Sequence, residues 1–186
     1  MTRPAGTAGG PEQGPFLAHS RNQAGVEDPL RVHLDAVASR AAQFASAFGA
    51  ADEARLAGLL HDLGKYGDLF QKRLRGEAQR IDHWTPGAWV ALEEYKRLGM
   101  ASALTVQGHH VGLQQANREN LTSMNPVNWD PAMHEQRWLS ETRIGLLNER
   151  FRSDGLALPP SKLPCTTTAR KPSPRCLIFE CSSLFS

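Results

Sequence analysis

Leu56, Leu59, Leu60 and Leu63 follow the three-and-four spacing of one face of an α-helix, a pattern that a half-buried strand cannot use. Asp52 reads as the N-cap of this helix and Gly64 as its terminator, which puts His61 and Asp62 side by side in the last turn. Packing alone does not call for two adjacent metal-donor side chains at a helix end. The doublet therefore reads as the centre of a metal site, provided the rest of the chain supplies further donors.

The same spacing recurs along the chain. After Asp28-Pro29, an N-cap followed by proline at the first helical position, Leu30, Leu34, Val37, Ala41, Phe44, Ala45 and Phe48 form a face that stops at Gly49. A short helix is expected from Asp68, with Leu69, Phe70 and Leu74 apolar and Gly76 at its end. Another starts at Thr85-Pro86, carries Trp89, Leu92, Tyr95 and Leu98, and ends at Gly99. Met100 to Gln107 reads as helical and is closed by Gly108-His109-His110-Val111-Gly112. Gln114 to Asn128 reads as loop, and Asp130-Pro131 as the start of a long helix bearing Ser140, Ile144, Leu147 and Phe151. No hairpin signal or period-two run appears before residue 155, so the expected class is all-α, a helical bundle over residues 16–160. Glycine and proline crowd residues 1–15, which are expected to form a disordered leader. Beyond Pro159-Pro160 the helical period is lost, and 161–186 read as an atypical tail.

A formal net charge of +2, from 21 basic and 19 acidic residues, creates no whole-protein field that would demand nucleic acid. Cys165, Cys176 and Cys181 lie together near the end of the chain, an odd count that fits neither a disulfide framework nor a four-cysteine zinc site. No apolar run is long enough for a membrane helix. A cytoplasmic protein with no membrane partner is the expectation.

Singly, His33 or His83 would be read as a core or capping histidine. Together His33, His61, His83, His109 and His110 each fall at or near a helix end or on a packing face, and His61 is joined to Asp62. Imidazole and carboxylate suit divalent transition metals: Mn, Fe, Co or Ni, with Mg or Zn also compatible. This set exceeds the needs of one tetrahedral ion, so two ions are expected. Two metals about 3.5–4 Å apart activate water and stabilise the leaving oxygen of a phosphodiester. Lys65, Lys72, Arg73, Arg75 and Arg80 cluster beside the doublet. Such a run is ordinarily a solvated helix face, and here it also fits contact with a phosphate backbone.

These residues resemble a known family in both identity and order. The phrases are Ala18-His19-Ser20, His33-Leu34 with Val37-Ala38, Gly58 through Lys65, Phe70-Gln71, Asp82-His83, and Gly108-His109-His110-Val111-Gly112-Leu113. They are similar to the HD-superfamily nuclease domain of the CRISPR type I helicase-nuclease. The resemblance implies an all-helical HD bundle that cuts single-stranded DNA in antiviral defence. It implies His33, His61, Asp62, His83, His109 and His110 as metal ligands, and Asp62 and Lys65 as catalytic, Lys65 acting electrostatically at the scissile phosphate. His19, Lys72, Arg73 and Arg75 would meet substrate. The implied partners are the displaced DNA strand, the RNA-guided surveillance complex and a helicase supplied separately.

The chain departs from that family in one respect. There a later helix adds an aspartate within a phrase like Ser-Cys-Leu-Val-Asp-Ala-Asp. Glu119, Asp130, Glu135, Glu141, Glu149, Asp154 and Glu180 lie in no such phrase. The codons of Ile178 to Ser182, read one base earlier, permit Asp-Ile-Arg-Met-Leu, so the tail is expected to be a shifted frame beginning near Leu163 to Cys165. A nuclease domain short of one ligand and impaired in activity is the resulting expectation. A nucleotide phosphohydrolase and an inactive remnant are the alternatives.

Overall fold

The structure is a computed structural model that describes residues 14–21, 24–130, 132–133 and 137–160. Most of the expected leader, the whole 161–186 tail with its cysteines and the frame shift expected there, and Pro131 lie outside the described residues.

Two amphipathic helices start the bundle. α1 (Leu30–Ala45) lies along α2 (Ala51–Leu60), with Leu30, Leu34 and Ala38 packed against Leu56, Leu59 and Leu60, all at most 1% exposed. A 3₁₀ turn, Leu63–Tyr66, continues α2 through the His-Asp doublet and leads into α3 (Asp68–Leu74). Next come β1 (Ile81–Asp82), α4 (Thr85–Tyr95), α5 (Met100–Val111), α6 (Arg118–Ser123), β2 (Trp138–Leu139) and α7 (Ile144–Ser153).

α4 is buried almost all round, as befits a core helix. It packs on α5 and reaches α2. Small residues make that contact possible: a Cβ on Gly87 would lie 1.9 Å from the Leu60 carbonyl oxygen. α7 closes the bundle over the 3₁₀ turn. Phe151 meets Tyr66 edge-on at 6.2 Å, the Tyr66 hydroxyl donates to Asp154 at 2.8 Å, and Arg150 donates to the Tyr66 carbonyl at 2.6 Å.

The all-α class holds, while several local expectations do not. Pro29, not Asp28, is the N-cap of α1, because the Asp28 carboxylate is engaged by His19. Phe44 and Phe48 continue the apolar period but are 71% and 76% exposed, whereas Ala45 is 4% exposed, so the buried face at the end of α1 runs through Ala45 and leaves the two phenylalanines outside it. Asp52 sits inside the first turn of α2, where it complements the helix dipole. Thr85 does not cap α4. Asp82 does so from three residues upstream, accepting from the Trp84 and Thr85 amides at 3.1 and 2.9 Å and from the Thr85 hydroxyl at 2.8 Å. α5 runs through Gly108-His109-His110 instead of closing before it, and stops at Gly112.

The expected loop 114–128 contains α6, capped by Asn117, and a 3₁₀ turn at Pro126–Asn128. The expected long helix from Asp130 is also corrected. Residues 132–133 form a turn, Trp138–Leu139 form β2, and helix is found only in α7, which begins at Ile144 and carries Leu147 and Phe151. β2 pairs in parallel with β1, Ile81 opposite Trp138 and Asp82 opposite Leu139. Among the described residues no helix is long and apolar enough to cross a membrane.

Gly87→Ala is expected to lower stability by about 1–3 kcal/mol, the cost of forcing extra volume into a packed contact. Urea unfolding of the two proteins measures the difference.

Candidate metal centre

Asp62 lies between α2 and the 3₁₀ turn and is 3% exposed. Its two oxygens face different partners. Oδ2 is 3.1 Å from His33 Nε2, 3.0 Å from His61 Nε2 and 2.8 Å from Lys65 Nζ. Oδ1 is 3.2 Å from His83 Nε2 and 3.9 Å from His109 Nε2. His110 joins the second group through Nε2, which is 3.0 Å from His83 Nε2. Asp62 is thus shared by two donor groups, one with His33 and His61 and the other with His83, His109 and His110.

Each ligand candidate is delivered by an element's end. His33 is in the first turn of α1, His61 is the C-cap of α2, and His109 and His110 are in the last turn of α5. His83 lies between β1 and α4. Its backbone is seated by Gly64, whose amide donates to the His83 carbonyl at 3.0 Å and whose missing side chain leaves room for it. A Cβ on Gly64 would lie 2.4 Å from that oxygen. The glycine expected to terminate a helix is therefore there for close approach.

The donor set fits metal ions. A backbone carbonyl can only accept, so His61 Nδ1 must donate to Gly58 (2.8 Å) and His109 Nδ1 to Val106 (2.5 Å). In the neutral imidazole this leaves the Nε2 lone pair directed at the cleft. His61 Nε2 and Asp62 Oδ2 are 3.0 Å apart, a pair that is satisfied by a proton on the ring nitrogen or by a metal ion that takes its place. Ligands on one ion with bonds of about 2.0–2.1 Å are themselves about 3 Å apart, which is the spacing seen here.

Electrostatics agree with the geometry. Burial acts to raise the Asp62 carboxyl, but hydrogen bonds from His33, His61 and His83 hold it far below the usual carboxylate range. Burial, with His61 and His83 nearby, lowers the His109 imidazole. His110 is pushed down to about 4 by burial and by His109 and His83. Both are neutral, ligand-ready rings near pH 7.

Lys65 is buried, and its ammonium donates to Asp62 and, at 2.9 Å, to the Ala18 carbonyl. Gln71 secures the same segment, accepting from the Leu17 amide (3.2 Å) and donating to the Leu17 and Lys65 carbonyls (3.0 and 2.7 Å). His19 is held by Asp28 at 2.8 Å and meets His33 edge-on at 5.1 Å.

A cleft of about 550 Å³ contains His19, the five inner histidines, Asp62, Lys65 and Arg73. Among the described residues lining it, Asp62 is the sole carboxylate. Lys72 and Arg75 are not in this cleft. They line a neighbouring one of about 950 Å³, and Arg75 is paired with Glu77 at 2.7 Å. Sequence reasoning missed the carbonyl of Ala18, the capping role of Asp82 and the stack of Trp84 on His110. Only the Asp82-His83 phrase hinted at the second of these.

The HD domain profile matches residues 31–144, from the start of α1 to the start of α7. The chain belongs to the HD domain family. HD domains are typically metal-dependent hydrolases, and the shared carboxylate with its flanking imidazoles is consistent with that chemistry. His19 and Asp28 lie outside the matched range. No curated protein matches the chain.

Two outcomes are expected. With manganese at 100 times its Kd, the protein gains about 2.7 kcal/mol of stability for each ion bound, and Asp62→Ala abolishes the gain, as read by thermal unfolding with and without chelator. For metal-free protein, stability falls as pH drops from 6.5 towards 4. In that window unfolded His109 and His110, at their ordinary 6.5, take up protons that the folded rings refuse. The contribution of Asp62 stays constant there, being lost only below its ordinary 3.8. Urea unfolding at pH 7 and pH 5 checks the sign, and the slope is shallower in a His109→Asn, His110→Asn double variant.

Proposed function

We propose that this HD domain is a metal-dependent nuclease of single-stranded DNA that acts in CRISPR type I defence. The observation carrying the reading is the single buried carboxylate shared by two histidine groups in a cleft that Arg73 also lines. Two divalent transition ions bound there would supply an activated water and stabilisation of the leaving oxygen. His33 and His61 form one side, His83, His109 and His110 the other, and Asp62 serves both. Lys65 keeps Asp62 in place and fixes residues 18–20, which carry His19 to the cleft mouth.

A polynucleotide is favoured over a free nucleotide by the surroundings of the site. The metal cleft and its larger neighbour share Ser20 and Leu74, so a strand entering one continues into the other. Arg73 would contact phosphate nearest the centre, with Lys72 and Arg75 further along the strand. The order of motifs supports the antiviral role, with an RNA-guided surveillance complex to expose the strand and a separate helicase to feed it. An HD phosphohydrolase of nucleotides uses the same inner residues, and the cleft of about 550 Å³ is large enough for a nucleotide.

The test is cleavage of circular single-stranded DNA across Mn, Co, Ni, Fe, Mg and Zn, beside a nucleotide panel, with Asp62→Ala as control. DNA nicking that disappears in the variant is expected. Nucleotide turnover without DNA cleavage, or purified protein that takes up none of these metals, overturns the reading. Arg73→Ala is expected to weaken strand binding and to reduce the slope of log affinity against log salt by about 0.7, the value of one phosphate contact on a single strand.

A further inference from the structure

An imidazole that is to present Nε2 to a metal needs something to fix its ring, and in this cleft three rings rest on carbonyls. His61 and His109 use Gly58 and Val106, and His83 reaches the Ile81 carbonyl at 3.4 Å. Among the described residues, Nδ1 of His33 and Nδ1 of His110 have no hydrogen-bond partner. Nε2 of His33 is held between His61 and Asp62. His110 is exposed, in the last turn of α5, and its one hydrogen-bond contact is to His83.

What steadies the His110 ring is Trp84. The two rings stack with centroids 4.3 Å apart and planes 28° from parallel, and the same indole meets His83 edge-on at 5.2 Å and 79°. Trp84 is itself anchored. It is 6% exposed, its amide donates to Asp82, and the Arg137 guanidinium lies 5.5 Å from the ring centroid. Its indole N–H has no partner among the described residues, so a hydrogen bond does not explain a tryptophan here. Its ring face does.

We infer that Trp84 is a positioning residue for one half of the centre. Through stacking on His110 and edge contact with His83, it sets the affinity of the ion held by the His83, His109 and His110 group. The ion beside His33 and His61 does not depend on it. The inference rests on the two-ion reading above.

Equilibrium dialysis against manganese or cobalt tests both. Wild-type protein is expected to take up two ions. Trp84→Leu, which is apolar but has no ring face, is expected to weaken one ion by about 10- to 100-fold, the usual effect of removing an orienting neighbour, and to leave the other unchanged. Trp84→Phe restores the second ion. Two ions bound to the leucine variant with wild-type affinity overturn the inference and leave the two-ion reading standing. A phenylalanine variant as weak as the leucine one also overturns it. One ion in the wild type overturns the two-ion reading and the inference with it.

Emission gives a readout that does not need the leucine variant to fold. Cobalt is expected to quench part of the tryptophan emission in step with the ion held by the His83, His109 and His110 group, and that part should be missing in Trp84→Phe. Identical quenching curves for the two proteins count against the inference.

Discussion

A carboxylate stripped of water is costly unless other groups replace the lost solvation, and in this protein the replacement involves half the fold. Asp62 has one ammonium within 3 Å and four imidazole nitrogens within 4 Å. These groups come from α1, the end of α2, the 3₁₀ turn, the link between β1 and α4, and the end of α5. Loosening any of these elements withdraws a partner from the buried charge. Electrostatic satisfaction of Asp62 and correct packing of the bundle are therefore one condition, which explains how a ligand set drawn from residues 33 to 110 holds its spacing.

The centre is made from the ends of helices, while their apolar faces form the core. At an end the backbone leaves its regular course and a side chain can be aimed independently of the buried stripe. The cost is that each end needs its own backbone satisfaction. His61 and His109 use their own Nδ1 for part of it, turning back to carbonyls three residues earlier. At α4 it is Asp82, whose carboxylate gathers the first amides of the helix and so fixes the chain on either side of His83.

Helices with a clear apolar period and a stop residue, α1, α3 and the start of α4, could be read from spacing alone because local rules govern them. The histidines could be picked out as candidates because imidazole has few reasons to gather at helix ends. Their convergence on opposite oxygens of one carboxylate could not be read, since it depends on how α1, α4 and α5 cross. β1 and β2 were invisible for a related reason: two residues are too few for a period, and their pairing joins segments more than fifty positions apart. Phe44 and Phe48 show the reverse error. A periodic stripe says which residues are apolar but not where the edge of the buried face falls, which here passes through Ala45.

That short parallel pairing also has a consequence for how the molecule is made. Every imidazole of the centre has been added to the chain by residue 110, yet the Asp82 carbonyl beside His83 is bonded by the Ser140 amide (2.8 Å), and Ser140 also packs against Gly64. The last strut of the site is thus synthesised some thirty residues after its last ligand. During that interval the nascent chain displays a cluster of free donors without the frame that spaces them. Metal met at that stage would bind a floppy, unselective chelate, and ions that favour the unfolded chain oppose folding by mass action. Closure of the 81–139 loop separates such adventitious loading from the arrangement of the finished bundle.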